Sequence, residues 1–210
     1  MSGRCFPNPD VVGKKTLTKR ILSMNGSPYF KMASYASAYP WKGEVTDFAT
    51  GLTKRAYVTA RPKARIATAL SHYSLWLEAA TLNETILVLE HDSCFINKLD
   101  IDPNACKGQI IGINNPLGCT RESRVYHHKI TSNQNIFQLA PKVDNENVPQ
   151  GLAGNSAYII KPSGAIKMLK LVEEFGLWPN DAIMCKQLFP NLYVTQKFYT
   201  TIQNLKSTTT

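Results

Sequence analysis

Apolar positions recur with a helical period from Arg61 to Leu82, at Ile66, Ala69, Leu70, Tyr73, Leu77 and Ala80, and Pro62 is acceptable in the first turn. Asn83-Glu84 breaks that pattern, and the run Ile86-Leu87-Val88-Leu89 is too short for a helix. Wholly apolar and preceded by a helix, this run predicts a strand covered on both faces. Glu90, His91 and Asp92 follow at once, where such a strand emerges from a core. Gln109–Ile113, Ala157–Ile160 and Leu192–Thr195 are further strand candidates. Between the last two, a helix from about Ser163 to Phe175 is bounded by Pro162 and Gly176, and Asn180 is placed to cap another through Phe189. Strands alternating with helices predict an α/β sandwich with a mainly parallel sheet.

Other stretches are less regular. Asn114–Gln150 carries little periodic signal and reads as a long active-site loop or a hairpin. Near the start, Pro7 and Pro9 bracket an irregular segment, after which Asp10 is placed to cap a basic helix through about Met24. Residues 1–205 read as a single domain, and the tail 206–210 as frayed.

Composition narrows the class. The 210 residues are 43% apolar and 19% charged, enough to bury a sizeable core, so a disordered chain is excluded. The net charge of +9 lies wholly in residues 1–70, which hold twelve Lys and Arg against three acids. Lys14, Lys15, Lys19 and Arg20 form much of that positive face. Clustered cations suit a polyanionic partner, such as a nucleic acid, an anionic glycan or a lipid surface, or are simply the basic face of a soluble domain. No apolar run approaches the roughly 18 residues of a membrane helix, and Met1–Arg20 lacks the apolar centre of a signal peptide. The chain therefore reads as cytoplasmic, with a face able to lie against an anionic surface. Five cysteines spread without a CxxC pair read as reduced, mostly buried thiols rather than a disulfide framework or a zinc site.

Ligands of open α/β sheets bind beyond the carboxyl ends of the strands, which draws attention to Glu90-His91-Asp92. Residues two apart in an extended or turning segment point the same way, so Glu90 and Asp92 can face one ligand together. Two carboxylates there suit a divalent cation able to neutralise a diphosphate, and solvated acids at a strand-end turn are the plainer alternative.

Ala69-Leu70-Ser71-His72-Tyr73-Ser74-Leu75-Trp76 followed by Ile86–Asp92 resembles the central motif of glycosyltransferase family 25, in which a Leu-Ser-His helix leads to an apolar strand ending in Glu-Asp-Asp. Gly154–Ile160 with Gly164-Ala165, and then Pro179-Asn180-Asp181, resemble the family's later motifs in the same order. The resemblance spans about Leu52 to Gln203. It implies a nucleotide-sugar transferase of GT-A type, a three-layer α/β/α fold whose acidic strand-end motif holds a divalent cation, manganese or magnesium, and the donor diphosphate. On that reading Asp92 is the metal or phosphate-bridging ligand and Glu90 supports the metal or sugar. His91 replaces the usual middle Asp, lowering the negative charge by one unit. Ser71 and His72 line or support the donor side, or else His72 is a hydrogen-bonded structural histidine.

Asp181 matches the family's second acidic position, as the general base for the acceptor hydroxyl or as an acid favoured by a helix dipole, with Glu90 the competing base. Arg121 and Arg124 are candidates for phosphate or acceptor contact, or belong to a solvated loop. His127-His128 with Arg124 and Lys129 are candidates to complete a metal site or hold phosphate, with at most one of the two histidines, His128 foremost, functional because adjacent residues on a strand point to opposite faces. The acceptor implied is a polyanion, either a lipopolysaccharide-type glycan or DNA with a hydroxymethylated base, and inversion at the sugar carbon is expected. The N-terminus departs from the family: Met1–Asp10 is not an apolar strand, so the first strand is displaced to a segment such as Lys31–Tyr39 or the nucleotide pocket is incomplete. Trp41 can stack on a base or simply pack. This departure and His91 leave room for a second class, a catalytically silent relative that binds nucleic acid or glycan.

Overall fold

A computed structural model describes residues 44–47, 52–55, 62–119, 122–144, 150–175 and 179–203. The basic segment with Lys14, Lys15, Lys19 and Arg20, the displaced-strand candidate 31–39, Trp41, Arg121 and the tail 206–210 lie outside the described residues. Strands β1 (Glu44–Asp47) and β2 (Leu52–Arg55) pair antiparallel. Then follow helix α1 (Pro62–Leu82), β3 (Ile86–Leu89), β4 (Ser93–Phe95), a short 3-10 turn, β5 (Ile110–Gly112), α2 (Ser123–Thr131) and β6 (Phe137–Leu139). The remaining elements are β7 (Ala157–Ile160), α3 (Pro162–Phe175), α4 (Asn180–Ile183), β8 (Leu192–Thr195) and β9 (Thr200–Ile202).

The central sheet has the order β3-β7-β5-β8-β6, and only β5 with β8 is parallel; the other three pairings are antiparallel. This corrects the expectation of a mainly parallel sheet. A parallel neighbour needs a long, usually helical crossover. The links between β3 and β5 and between β6 and β7 hold no described α-helix. Strand β7 instead runs back between β3 and β5. Even so, β3, β5 and β8 share one direction, so their carboxyl ends reach one edge together with the amino end of β7.

One face of the sheet is covered by α1 and α3, with Leu75, Trp76, Ala79, Met168 and Leu171 packed on Ile86, Val88, Ile110 and Tyr158. The other carries a smaller cluster, Leu89, Ile111, Ile113, Ala157, Ile159 and Tyr199, against which Phe95, Leu99 and Ile101 pack. Ile86–Leu89 is thus a strand with a core on each face, as its uniform apolarity predicts.

Four local expectations change. The buried stripe of α1 includes His72, Leu75, Trp76 and Ala79, whereas Leu77 is exposed, because apolar counting leaves out a histidine whose polar atoms find partners. Asn114–Gln150 contains α2 and β6, so His127 and His128 are on a helix rather than a strand. The helix from Asn180 ends at Ile183: Met184 leaves helical geometry (φ −81, ψ 63), and Cys185 bridges to Gly151. Cys94 is disulfide-bonded, which corrects the reading of five reduced cysteines; sequence spacing does not reveal which sulfurs meet.

Gly164 in the first turn of α3 lets the helix sit against β5. A Cβ there would lie 2.6 Å from the Gln109 carbonyl oxygen, a backbone atom that also accepts from Lys161 N at 2.9 Å. Gly164→Ala is therefore expected to destabilise the fold by about 1–3 kcal/mol in denaturant unfolding, since backbone must move to admit the methyl. A stability equal to the parent would show that α3 shifts freely on the sheet.

Candidate active site

The site is built where β3 ends. The ladder continues one residue past the strand, with Glu90 N donating to Ser156 O at 2.7 Å, and a turn then closes with Ser93 N on Glu90 O at 3.0 Å. Ser93 Oγ also donates to Ser156 O, so that carbonyl ties down both ends of the turn containing His91 and Asp92. Downstream, Gln203 N donates to Asp92 O at 2.8 Å, where β9 pairs with β4.

Behind the turn lies a buried polar chain. Trp76 Nε1 donates to Tyr158 Oη at 2.9 Å, Tyr158 Oη meets His72 Nδ1 at 2.8 Å, and His72 Nε2 meets Glu90 Oε1 at 3.1 Å. Indole nitrogen only donates and a carboxylate only accepts. With the tyrosine proton on the bond to Nδ1 and the imidazole proton on Nε2, every group in the chain is satisfied. His72 is fully buried (0% exposed), while the Glu90 side chain keeps 26% of its surface open. The histidine therefore holds Glu90 from behind and does not itself reach a ligand. Ser71 is also buried.

The two carboxylates differ. Burial pushes the Glu90 carboxyl up, but the His72 hydrogen bond and the attraction of His72 and His91 outweigh it, leaving it below its ordinary value. Burial pushes Asp92 up, and the charge of Glu90 pushes it further, against a smaller downward pull from His91. His91 is exposed.

In this turn and in the residues before β7 whose backbone meets it at Ser156 O, Asp92 Oδ1, both side-chain polar atoms of Asn155 and Ser156 Oγ are buried with no hydrogen-bond partner among the described residues. Gly154, at φ +79, closes this corner; a Cβ on it would meet Asn114 Nδ2 and Cys119 Sγ, each at 2.8 Å. Asn114 in turn accepts from Thr200 Oγ1 at 3.0 Å. Burial raises the Cys119 thiol, a hydrogen bond from Asn114 lowers it by less, and the charges of Asp92 and Glu90 raise it further, which makes it a poor nucleophile.

The acids, the Asn155 amide and the Ser156 hydroxyl are hard oxygen donors of the kind magnesium and manganese take. Among the described residues no three His, Cys, Asp or Glu side chains gather into a metal cage. Glu90 and Asp92 are the two carboxylates of this turn that would hold a divalent cation.

The remaining sequence candidates are more dispersed. Asp181 is exposed in the first turn of α4, with its carbonyl oxygen 3.0 Å from where a Cβ on Gly151 would sit. Arg124 and His128 are exposed on α2, and no contact joins them to Glu90 or Asp92 among the described residues. His127 instead packs on Phe198, ring centroids 5.2 Å apart. Sequence reasoning gave no role to Trp76, Tyr158, Asn155 or Ser156. The available signal was Trp76 four residues after His72 on one helix face, and polar Asn155-Ser156 directly before a wholly apolar strand.

No helix among the described residues is long and apolar enough to cross a membrane. A search of curated proteins found no match. The model of glycosyltransferase family 25, described as a lipopolysaccharide biosynthesis protein, matches residues 14–184, which include α1, the Glu90–Asp92 turn, the Asn155 corner and Asp181. With most of its length matched and the acidic turn at the carboxyl edge of the sheet, this chain belongs to glycosyltransferase family 25.

Proposed function

We propose that the chain transfers a sugar from a nucleotide-diphosphate donor to a hydroxyl of an anionic, lipopolysaccharide-type glycan, with inversion at the sugar carbon and a GT-A-like layering of the fold. The observation that carries this reading is the pairing of an anchored carboxylate, Glu90, with Asp92, whose Oδ1 is buried without a partner. Glu90 and Asp92 would hold a divalent cation, which when bound supplies positive charge against the departing diphosphate. Glu90 is suited to remain a fixed anion, because a lowered pKa makes a weak proton acceptor. Asp181, exposed at the start of α4, takes the proton of the acceptor hydroxyl as that oxygen bonds to the sugar carbon and the bond to the diphosphate breaks. The cationic first third, with Lys14, Lys15, Lys19 and Arg20, attracts the acceptor's phosphates, and Arg121, Arg124 and His128 are further contacts for them.

Incubation with a panel of nucleotide sugars, read by mass spectrometry, is expected to reveal slow hydrolysis of one donor, and a lipopolysaccharide core acceptor to convert hydrolysis into transfer. Asp181→Asn should lower the transfer rate by about a hundredfold or more without weakening donor binding. Undiminished transfer by that variant would remove Asp181 from the base role, and transfer to hydroxymethylated DNA in place of the glycan would overturn the acceptor.

A further inference from the structure

Asn155 and Ser156 are 7% and 4% exposed, yet the amide nitrogen, the amide oxygen and the hydroxyl all lack a partner among the described residues. A buried polar atom left unmade costs on the order of 1–3 kcal/mol, so a fold that keeps three together in two consecutive residues has a use for them. Which amide atom is nitrogen and which oxygen does not matter, because both are unpartnered.

The chemistry of the pair restricts what can fill it. A bare cation satisfies the oxygens and leaves the amide N–H groups orphaned. A diphosphate is an acceptor, so it satisfies the N–H groups and leaves the amide oxygen without a donor. A sugar hydroxyl both donates and accepts, and two neighbouring hydroxyls match an amide edge atom for atom. The backbone of the pair adjoins the acidic turn: Ser156 O accepts from Glu90 N and from Ser93 Oγ on either side of Asp92, and Gly154 just before it is at positive φ.

We infer that Asn155 and Ser156 bind the hydroxyls of the donor's sugar ring and so distinguish a sugar-bearing nucleotide from the bare diphosphate. This rests on the donor reading above and adds to it the residues that read the sugar. Ser156→Ala removes one hydroxyl at nearly constant volume, and Asn155→Ala removes two unsatisfied atoms; neither breaks an existing side-chain hydrogen bond among the described residues.

The test is calorimetric titration of the full chain with magnesium present, using UDP, GDP, UDP-glucose, UDP-galactose, GDP-mannose and the methyl glycosides of the same sugars. For the donor that the parent prefers, Asn155→Ala is expected to lose about tenfold in affinity and Ser156→Ala about threefold to tenfold, while affinity for the matching diphosphate stays within twofold. Equal affinity of the parent and both variants for the nucleotide sugar would overturn the inference and assign the corner to buried water. Parallel loss of nucleotide sugar and diphosphate would also overturn it, placing the pair on the phosphates. Methyl glycoside binding that depends on Asn155, without any nucleotide binding, would overturn both the donor reading and the assignment of the pair to a donor's sugar. A parent that binds no sugar in any form would refute both.

Discussion

Asp92→Asn is expected to lower sugar transfer by at least about a hundredfold in kcat/KM while leaving the melting temperature unchanged or raised. The two effects have one cause. Burial and the neighbouring charge of Glu90 disfavour the Asp92 carboxylate in the folded chain, and its Oδ1 has no compensating partner among the described residues. An amide of the same shape carries no charge to desolvate or repel, so the fold loses nothing by the exchange. Transfer loses the anion that would face the cation and diphosphate. Circular dichroism melting beside a transfer assay separates the two, and a variant that unfolds would show that Asp92 is structural.

The same electrostatics gives a pH dependence with a definite sign. For Asp92 the folded value is raised, so the folded state binds the extra proton between the ordinary and the raised value. Stability from this group therefore falls as pH rises through that window. For Glu90 the folded value is lowered, so its contribution is present above the ordinary value and is lost as pH falls through the lower folded one. In Asp92→Asn only the second slope remains, and acid titration of stability should steepen in the direction of loss at low pH.

The largest stability effect is expected at His72. His72→Ala leaves a cavity at a fully buried position, and deprives Tyr158 Oη and Glu90 Oε1 of the ring between them. Cavity and lost bonds together should cost about 3–5 kcal/mol, a large part of the roughly 5–15 kcal/mol that holds a typical domain. Tyr158→Phe keeps the ring volume and orphans Trp76 Nε1 and the proton arrangement at His72 Nδ1, for about 1–3 kcal/mol. The two losses should not add: once either group is gone, the bond between them is already broken. Denaturant unfolding of both single variants and the double variant measures that coupling, and strict additivity would show that the chain is not a connected unit.

The acidic turn was legible because a run of four apolar residues followed by three polar ones has few structural solutions, and the structure places β3 at Ile86–Leu89 as the run predicts. The supports of that turn were not legible in the same way. His72 and Glu90 are eighteen residues apart and His72 and Tyr158 eighty-six, so no local pattern links them. Asn155 and Ser156 belong to a motif that resembles the family's, but the motif says nothing of which polar atoms would be buried without partners. Asn114–Gln150 hid α2 because its helix is short, rich in polar residues and supported by only Ser123, Tyr126 and Ile130 as buried positions.

By itself the sequence determined the α/β class, the extents of β3, β7 and β8, the start of α1 and the order of family motifs, because periodicity, turn residues and short apolar runs are properties of neighbouring positions. Tertiary structure alone decided that β7 inserts between β3 and β5, that the sheet is mostly antiparallel, and that His72 holds Glu90 from the core. Strand order and buried hydrogen bonds depend on which distant segments come into contact. That choice is made by the packing of two cores on one sheet, and it leaves no periodic trace along the chain.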